Sequence, residues 1–550
     1  MLRRKLTVSL LLAALLIPSL AFGQAKIYNA PPEVIAKIKD EGMGKNSQVM
    51  NHLSYLTDVI GPRLTNSPGM KRANEWTRDT MAKWGMQNAK LEAWGPWGRG
   101  WSLKNFSAQI VEPSQMPVIA FPKAWSPSTK GAVTSEVVLL EIKSDADFDK
   151  YKGQLKDKIV FVSDVRELKA AFEPMAERWS DADLEKMANP APTPTPAPRP
   201  AGQGPQANFQ QMQQVAAKRA QFLLDEGAAV VVDNSTRGSG GTLFVQSATM
   251  AQPPQTPGTP VTPLRVYNKE AESRMLPQMT MATEDYNRVA RMVRQGAKPK
   301  MTVNIQAQYH DEDLMGYNTT AEIPGSDLKD QIVMIGGHMD SWHSSTGATD
   351  NAAGCAVAME AVRILIASGL KPRRTIRVAL WSGEEQGLNG SREYVKQQFG
   401  EMRGGGNQFG PRDPNAPPPT LVKAANYDKL SAYYNLDNGT GKIRGVYMQG
   451  NAAVKPYFES WLLPFHDSGA KTLTINNTGG TDHQSFDRIG LPGFQFIQDE
   501  VEYDTRTHHS NQDNYDRIQP DDMKQAATIM AAFIYQTAMM DEKLPRKPMQ

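Results

Sequence analysis

The sequence has almost no cysteine. Cys355 is the only one in 550 residues, so the chain cannot form an internal disulfide. An exported protein without disulfides takes its stability from its core or from bound metal. Cys355 also lies far from the N-terminal segment, so we expect no lipid anchor of the bacterial lipoprotein type.

Long apolar runs are absent after the first two dozen residues, so we expect no membrane span in the rest of the chain. Residues 3–5 are basic and residues 6–22 are mostly apolar. This pattern is typical of a secretory signal peptide over residues 1–24, and an uncleaved membrane anchor is the alternative. The prediction is therefore an exported protein, periplasmic or secreted, with no membrane association after cleavage.

The chain also has no formal net charge once the predicted signal peptide is removed. The number of Lys and Arg residues then falls from 61 to 58, which equals the 58 Asp and Glu residues. Nucleic-acid binding requires a basic surface, so we expect no nucleic-acid partner.

The chain is long enough for more than one domain, because single cores stop growing near ~250–300 residues. Residues 25–100 are predicted to form the N-terminal part of the main domain, and residues 26 to about 95 are predicted to be helical with short breaks. Residues 101–300 contain short apolar runs separated by Gly and Pro, which predicts a β-rich domain inserted into the main one. Within it, residues 189–206 are Pro-rich and are predicted to form an exposed loop. Residues 301–545 hold the main part of the first domain.

The stretch from Gln331 to Ser391 predicts a βαβ unit. It contains an apolar run over 332–335, a polar loop, an Ala-rich helix pattern and a second apolar run over 375–381. In open α/β sheets, ligand-binding and catalytic residues usually lie at the carboxyl ends of the strands. The acidic and histidine residues that follow these two runs are His338, Asp340, Asp350, Glu384 and Glu385.

Two more residues complete a set that suits metal binding: Asp437, which follows a third apolar run, and His509 in a polar segment. Zinc prefers imidazole nitrogen and carboxylate oxygen. Two histidines and three carboxylates suffice for two zinc ions that share one bridging carboxylate, and a further carboxylate can then act as a general base. Taken singly, each residue has an ordinary alternative. Asp350 suits a helix cap, the adjacent glutamates suit solvated charge, and Asp437 suits a turn.

Five motifs follow one another in chain order: HMDS, DNAAG, GEEQGLNGS, NLD and HS. In this order they resemble the two-zinc aminopeptidase and glutamate carboxypeptidase family of metallopeptidases. The fragments GGHMDSW and LKPRRTIRVALWSGEEQG are most similar to its plasma glutamate carboxypeptidase (carboxypeptidase Q) branch. The resemblance covers residues 30–100 and 300–540, and residues 101–300 more weakly resemble the protease-associated domain that several members carry at this place.

The resemblance implies a fold and a ligand set. The fold is α/β, a zinc exopeptidase (phosphorylase/hydrolase-like) fold with a mixed, mainly parallel sheet flanked by helices and an inserted β-rich protease-associated domain. The implied cofactor is two Zn²⁺ per chain. By the same resemblance, His338 and Asp437 would bind one ion, Glu385 and His509 would bind the other, and Asp350 would bridge them.

The resemblance also implies roles for residues that do not bind metal. Glu384 would be the general base and acid, and Asp340 would orient His338 through its second ring nitrogen. Many family members have Tyr directly before the last histidine, whereas this chain has His508. His508 or His483 is therefore the candidate for contacting the substrate or the oxyanion.

These residues together predict an exported zinc-dependent exopeptidase that cleaves at the N-terminus of peptides or within dipeptides. Two alternatives are a non-catalytic, receptor-like binding protein of the same fold and a glutaminyl cyclase with a single zinc. The complete ligand set argues against the first, and the pair His338 and Asp437 argues against the second. The sequence leaves open the choice between aminopeptidase and dipeptidase, and a homodimer is one candidate assembly.

Overall fold

The computed structural model describes residues 27–191, 205–253, 264–404 and 418–548. The predicted signal peptide and most of the Pro-rich segment 189–206 lie outside these ranges. Within them, no helix has the length and apolar character that a bilayer span requires.

Helices and strands alternate along the chain. The helices are α1 Pro32–Met43, α2 Val49–Ser54, α3 Pro68–Lys83, α4 Asp181–Ala188, α5 Pro205–Glu226, α6 Thr283–Arg294, α7 Ala353–Ala367, α8 Asn389–Gln398, α9 Lys455–Leu462, α10 His483–Asp487 and α11 Pro520–Met539. The strands are β1 Gln87–Trp94, β2 Gly100–Glu112, β3 Met116–Pro117, β4 Ala120–Pro122, β5 Val133–Leu139, β6 Ile159–Phe161, β7 Val230–Asn234, β8 Gln278–Met281, β9 Lys300–His310, β10 Gly316–Ile323, β11 Leu328–His338, β12 Arg374–Trp381, β13 Gly400–Arg403, β14 Thr420–Lys423, β15 Leu430–Asn435, β16 Ile443–Tyr447, β17 Thr472–Thr474 and β18 Gly493–Gln498.

One eight-stranded sheet has the strand order β1-β10-β12-β11-β15-β18-β16-β17. The four central strands β12, β11, β15 and β18 run parallel, and antiparallel neighbours flank them on both sides. The register pairs His338 with Trp381 and Gly336 with Asn435, so β11, β12 and β15 end at the same edge of the sheet. The predicted α/β fold with a mixed, mainly parallel sheet is confirmed.

Helices cover both faces of this sheet. On one face, α7 and α11 are buried along almost their whole length because α1 and α2 pack over them. On the other face, Tyr394 of α8 and Phe486 of α10 pack on Trp381 at the end of β12. The centre of the sheet needs small residues, since a Cβ at Gly336 would lie only 1.9 Å from the carbonyl oxygen of Ala379.

A second eight-stranded sheet takes its strands from residues 100–310, in the order β3-β2-β9-β5-β6-β7-β8-β4. The long strands β2 and β9 pair antiparallel over most of their length. Its core includes Tyr286, Val289 and Ala290 of α6. A β-rich region is therefore present between the two parts of the first sheet, while the domain boundaries and the likeness to a protease-associated domain stay predictions.

Residues 87–94 differ from the helical prediction for the N-terminal segment. Helix α3 is closed by Gly85, whose φ of 86° lies in the left-handed region. The N–H of Met86 then donates to the carbonyl oxygen of Met81 at 3.2 Å, a pattern that ends helices. The chain continues as β1, which pairs with β10 at the sheet edge. This partner is distant in sequence, and local propensity does not reveal it.

Candidate metal centre

The predicted ligands meet at the carboxyl edge of the first sheet. The chain passes from β11 to β12 on one side and later to β15 on the other, so the strand order changes direction at β11. Such a reversal opens a crevice between the loops of neighbouring strands. The residues brought together there are His338 at the end of β11, Asp350 before α7, Glu384 and Glu385 after β12, Asp437 after β15 and His509 after β18.

Asp350 lies at the centre of the group. Its Oδ1 is 3.2 Å from His338 Nε2, and its Oδ2 is 3.1 Å from His509 Nε2. Asp437 Oδ1 lies 3.4 Å from the same nitrogen of His338, and Glu385 Oε2 lies 2.9 Å from that of His509. Two sets of side chains therefore share one carboxylate, and each of its oxygens faces one set.

The donor atoms fit a metal ion in each set. Ligands held ~2.0–2.2 Å from a tetrahedral ion are about 3.3–3.6 Å apart, close to the distances observed here. Among the described residues, the buried oxygens Asp350 Oδ2, Glu385 Oε1 and Asp437 Oδ1 form no hydrogen bond, and the first and the last lie near only the imidazole nitrogens named above. Buried carboxylate oxygens without partners are costly, and a divalent cation would satisfy them. Imidazole nitrogen with carboxylate oxygen is a donor set that suits zinc.

Protons are bound strongly in this group because its carboxylates lie so close together. Burial, followed by the charge of Asp350, raises the pKa of Glu385 to about 7. Burial lowers the pKa of His509, but Glu385 and Asp350 outweigh it and raise that pKa to about 10. Burial raises the pKa of Glu384 well above its usual range; His338 opposes this shift and Asp437 adds to it. At neutral pH the group therefore retains protons unless a cation replaces them.

Asp340 supports both strand ends. The Nδ1 atom of His338 faces the main-chain oxygen of Asp340 at 3.0 Å, whereas the Asp340 carboxylate lies 3.7 Å from that nitrogen. The carboxylate instead accepts the backbone N–H groups of Glu384 at 3.2 Å and Glu385 at 3.3 Å. Asp340 thus contacts His338 through its carbonyl and fixes the turn of the two glutamates through its carboxylate.

Asp513 supports the central residue in a similar way. It is buried, and its carboxylate accepts the backbone N–H of Asp350 at 3.1 Å and that of Thr349. Burial, with the charge of Asp350 next, raises the pKa of Asp513 to about 7. The peptide bond between Asp350 and Asn351 is cis.

A buried arginine holds the loop between the first histidine and Asp350. Arg63 is completely buried, and its Nε donates to the carbonyl oxygen of Met339 at 2.7 Å. Its two Nη atoms donate to the carbonyl oxygens of Thr346 and Gly347, each at 2.7 Å. Both ends of this loop carry candidate metal ligands, so the guanidinium positions the loop without being part of the ligand set.

The two histidines predicted to contact substrate have different surroundings. His508 borders the group, with its Nε2 3.7 Å from Asp350 Oδ2 and its ring stacked on Tyr503. The Nε2 atom of His483 instead lies 2.9 Å from Gln449 Nε2, and burial lowers the pKa of His483 to about 4. Of the two, only His508 has a contact with the central carboxylate.

The β-rich region forms one wall of the centre. Gln246 Nε2 lies 3.0 Å from His509 Nδ1, the ring nitrogen that faces away from the carboxylates. The N–H of Val245 donates to the carbonyl oxygen of His509 at 3.2 Å, and Phe244 forms a β-bridge with Ser510. A partner on the second ring nitrogen fixes the orientation of a metal-binding imidazole. The region between β7 and β8 therefore supports His509 directly.

A cleft of about 410 Å³ opens between this wall and His509. Its volume lies in the range of ~300–1,000 Å³ that is usual for small-molecule sites. The lining is mostly polar, and the residues are Lys123, Ser163, Asp233, Asn234, Thr236, Arg237, Phe244, Gln246, Ser247, Thr280 and His509.

Residues 318–534 match the sequence model described as "Peptidase family M28". This part of the chain, fewer than half of its residues, is similar to peptidase family M28. It includes all the candidate ligands and Glu384. The matched range begins after the second sheet, so the M28 match says nothing about that sheet.

Two relatives and one solved structure are similar to this chain. Carboxypeptidase Q of Rattus norvegicus is 30% identical over 275 residues, which cover 49% of this chain and 52% of that protein. Carboxypeptidase Q of Mus musculus is 25% identical over 502 residues, covering 90% of this chain and 86% of that protein. The chain thus matches about half the length of the rat relative. The crystal structure of a peptidase M28 precursor from Shewanella amazonensis has the same fold, with a TM-score of 0.62, 21% identity, and coverage of 94% of this chain and 99% of that chain.

Sequence reasoning missed three residues that support the candidate ligands: Arg63, Gln246 and Asp513. Asp513 could have been considered from the sequence, because it lies in the same polar segment as the predicted ligand His509. No local pattern marks Arg63 or Gln246. Both lie in segments far from the motifs, and only the tertiary fold brings them to the loop and to the histidine.

Arg63→Met should destabilise the protein and weaken metal binding. The change leaves the buried carbonyls of Met339, Thr346 and Gly347 without donors, at a cost of roughly 3 kcal/mol. Urea denaturation and zinc stoichiometry would measure both effects. Arg72→Met is the matched control, since Arg72 is exposed and donates to a single carbonyl, that of Ile60. Equal stability and equal zinc content in the two variants would contradict the positioning role.

Zinc affinity should fall as the pH falls. Metal binds only the deprotonated ligands, and the raised pKa values of His338 and His509 mean that the metal-free protein carries protons there at neutral pH. If both histidines lose a proton on binding, the apparent dissociation constant rises on the order of 100-fold per pH unit between pH 8 and 6.

Competition with a chromogenic chelator at several pH values measures this slope. His509→Gln should reduce the slope by about one proton, because one titrating ligand is gone. His466→Gln, a change at an exposed histidine, should leave it as it was. A zinc affinity independent of pH in the unmodified protein would show that these histidines do not bind the metal.

Proposed function

We propose that this chain is a zinc-dependent exopeptidase with two zinc ions. The observation that carries the proposal is the position of Asp350, whose two oxygens each face one histidine. His338 and Asp437 would hold one ion and Glu385 and His509 the other, with Asp350 between them. Zinc bound there lowers the pKa of a water molecule and polarises the scissile carbonyl.

Glu384 is the proposed general base. Its neighbour Glu385 contacts His509, whereas no ion pair links Glu384 to a histidine among the described residues. The carboxylate of Asp340 accepts the backbone N–H groups of Glu384 and Glu385, which fixes the arrangement of their two side chains. Burial raises the pKa of Glu384 in the metal-free centre, and cations bound beside it would favour the ionised form, which can accept a proton. Glu384 would take the proton of the attacking water and pass it to the leaving amine.

A short peptide is the proposed substrate. The wall formed by residues 244–246 leaves a cleft of about 410 Å³ beside His509, a space suited to a few residues and too small for a folded protein. The names of the relatives include carboxypeptidase Q, which supports an exopeptidase. His508 borders the central carboxylate and is the proposed contact to the scissile carbonyl. The basic and apolar N-terminal segment supports export.

Two other functions fit the site less well. A non-catalytic binding protein of this fold has no need for buried carboxylate oxygens without partners, yet Asp350, Glu385 and Asp437 each have one. A glutaminyl cyclase with a single zinc would leave one of the two sets unused. Zinc stoichiometry and an assay for pyroglutamate formation separate these cases from the peptidase.

Glu384→Gln should abolish peptide hydrolysis without loss of zinc. The amide keeps the shape of the side chain but cannot accept a proton, so turnover should fall by about 10²–10⁴-fold. Turnover of an unblocked dipeptide, with zinc measured on the same sample, tests this. Turnover close to that of the unmodified protein would assign the base elsewhere.

Glu385→Gln is the matched control because the two glutamates are adjacent. It removes a proposed ligand, so zinc content should fall along with activity. If the two variants lost the same amount of zinc, the proposed division between base and ligand would be wrong.

A further inference from the structure

A second cleft, of about 470 Å³, opens between the start of α3 and the segment that joins β9 to β10. Its volume also lies in the range of ~300–1,000 Å³ that is usual for small-molecule sites. The described residues that line it include neither Glu384 nor any candidate metal ligand. The second cleft is therefore separate from the metal centre, and the proposed peptidase mechanism does not use it.

The two walls of the second cleft are joined by a hydrogen-bonded side chain. Nδ2 of Asn66 donates to the carbonyl oxygens of Gly98 at 2.8 Å and Asp313 at 2.9 Å. These bonds connect the segment before α3 with the segment after β9. The space is thus formed without a ligand, which lowers the ordering cost of binding one.

Two opposite charges line the second cleft without neutralising each other. Among the described residues, the side chains of Lys71 on α3 and Glu312 after β9 form no ion pair and no hydrogen bond. Asp313 differs from Glu312, because its carboxylate accepts the hydroxyl of Tyr317 at 2.7 Å. His310 adds no charge at neutral pH, since burial lowers its pKa. Within the described part of the chain, the cleft therefore offers one unpaired cation and one unpaired anion.

A buried amide adds a hydrogen-bond donor on the α3 side of the second cleft. Asn74 is 3% exposed, and its Oδ1 accepts the hydroxyl of Thr319 at 3.0 Å. Its Nδ2 has no acceptor among the described residues, although Asn74 lines the cleft. Buried amide groups are rarely left unpaired, and a ligand oxygen would complete this one. Because α3 also begins here, its dipole joins Lys71 and Asn74 in favouring a carboxylate on this side.

Apolar side chains supply another part of the lining. Met70 of α3, Leu91 of β1 and Tyr317 of β10 all border the same space. A ligand gains from contact with them only if it carries an apolar group, which is then removed from water. The lining as a whole matches a small molecule with one carboxylate, one ammonium group and an apolar side chain.

The second cleft adjoins two elements that position Glu384. Ser382, two residues before Glu384, is buried and lines the cleft. Thr65 directly precedes Asn66, and its hydroxyl lies 2.9 Å from Oδ2 of Asp340, the residue that holds the turn of the two glutamates. A molecule in the cleft would therefore contact the support of this turn from the side opposite to the metals.

We propose that the second cleft binds a free amino acid with an apolar side chain. Its α-carboxylate would meet Lys71 and Asn74, its α-ammonium group would meet Glu312, and its side chain would pack against Leu91. A free amino acid is also what an exopeptidase releases, so the identity of this ligand as a product rests on the proposed function. The match between ligand and lining does not depend on that function.

The experiment is isothermal titration calorimetry of the zinc-loaded, full-length protein with three probes: L-leucine, isoamylamine, which lacks the carboxylate, and isocaproate, which lacks the ammonium group. L-leucine should bind most tightly. Lys71→Met should weaken L-leucine and leave isoamylamine nearly unchanged. Glu312→Gln should weaken L-leucine and leave isocaproate nearly unchanged. Each loss should be about 5- to 10-fold, because each variant removes one charge-assisted hydrogen bond at a partly exposed position.

Binding at the metal centre would appear differently. Acetohydroxamate, a zinc ligand, would displace L-leucine from the metals but not from the second cleft, so each titration is repeated with acetohydroxamate in excess. Lys83→Met is the matched control, because Lys83 is an exposed lysine in the last turn of α3, away from the cleft. It should alter none of the three affinities.

Equal L-leucine affinities in the unmodified protein, Lys71→Met and Glu312→Gln would overturn the inference. Loss of all L-leucine binding in acetohydroxamate, or no binding at millimolar concentrations, would do the same. Hydrolysis of Ala-Ala is measured on the same samples. Hydrolysis without binding in the cleft would leave the peptidase function standing, whereas binding without hydrolysis would support the amino-acid site and remove only its link to a product.

Discussion

Mutual repulsion among buried carboxylates is the constraint on which the centre depends. Asp350 approaches Nε2 of both His338 and His509, Asp437 approaches the first and Glu385 the second, all within 2.9–3.4 Å. Each carboxylate has a buried oxygen that forms no hydrogen bond among the described residues. Such a group is stable only with protons or a cation between its members. The supporting residues serve this arrangement. Arg63 fixes the backbone at residues 346 and 347, and Asp513 fixes it at residues 349 and 350, which limits how far Asp350 can move away from the other carboxylates.

The first sheet and the β-rich region position different candidate ligands. The parallel strands deliver His338, the two glutamates and Asp437 to one edge, and this placement follows from strand order and register alone. His509 is different, because it lies in a loop beyond β18 and has a positive φ of 63°. Its ring and backbone are held by Gln246 and Val245 of the other sheet's region. One candidate ligand therefore depends on contacts from outside residues 318–534.

Much of this arrangement can be predicted from the sequence, because strand ends and residue chemistry are local signals. The apolar run before His338 and the one before Glu384 predict strands, and parallel strands bring their ends together. What escapes prediction is non-local. The strand Gln87–Trp94 forms because β10 is available as a partner, and Arg63 acquires its role only when the segment before α3 meets the loop after β11. The contact between His338 and the carbonyl oxygen of Asp340 also escapes prediction. The sequence indicates that Asp340 is near His338, but it does not indicate which atom of Asp340 contacts the ring.

The second sheet meets the candidate centre through the segment after β7. If the residues at the edge of the first sheet hold metal, the required geometry leaves them little freedom to recognise different peptides. Residues after β7 approach the same point from outside, and they support the candidate ligand His509 through Gln246 and Val245. They also line the cleft beside that histidine. Under the proposed peptidase function, side chains from two different sheets would then serve recognition and hydrolysis, so that one could change with less effect on the other.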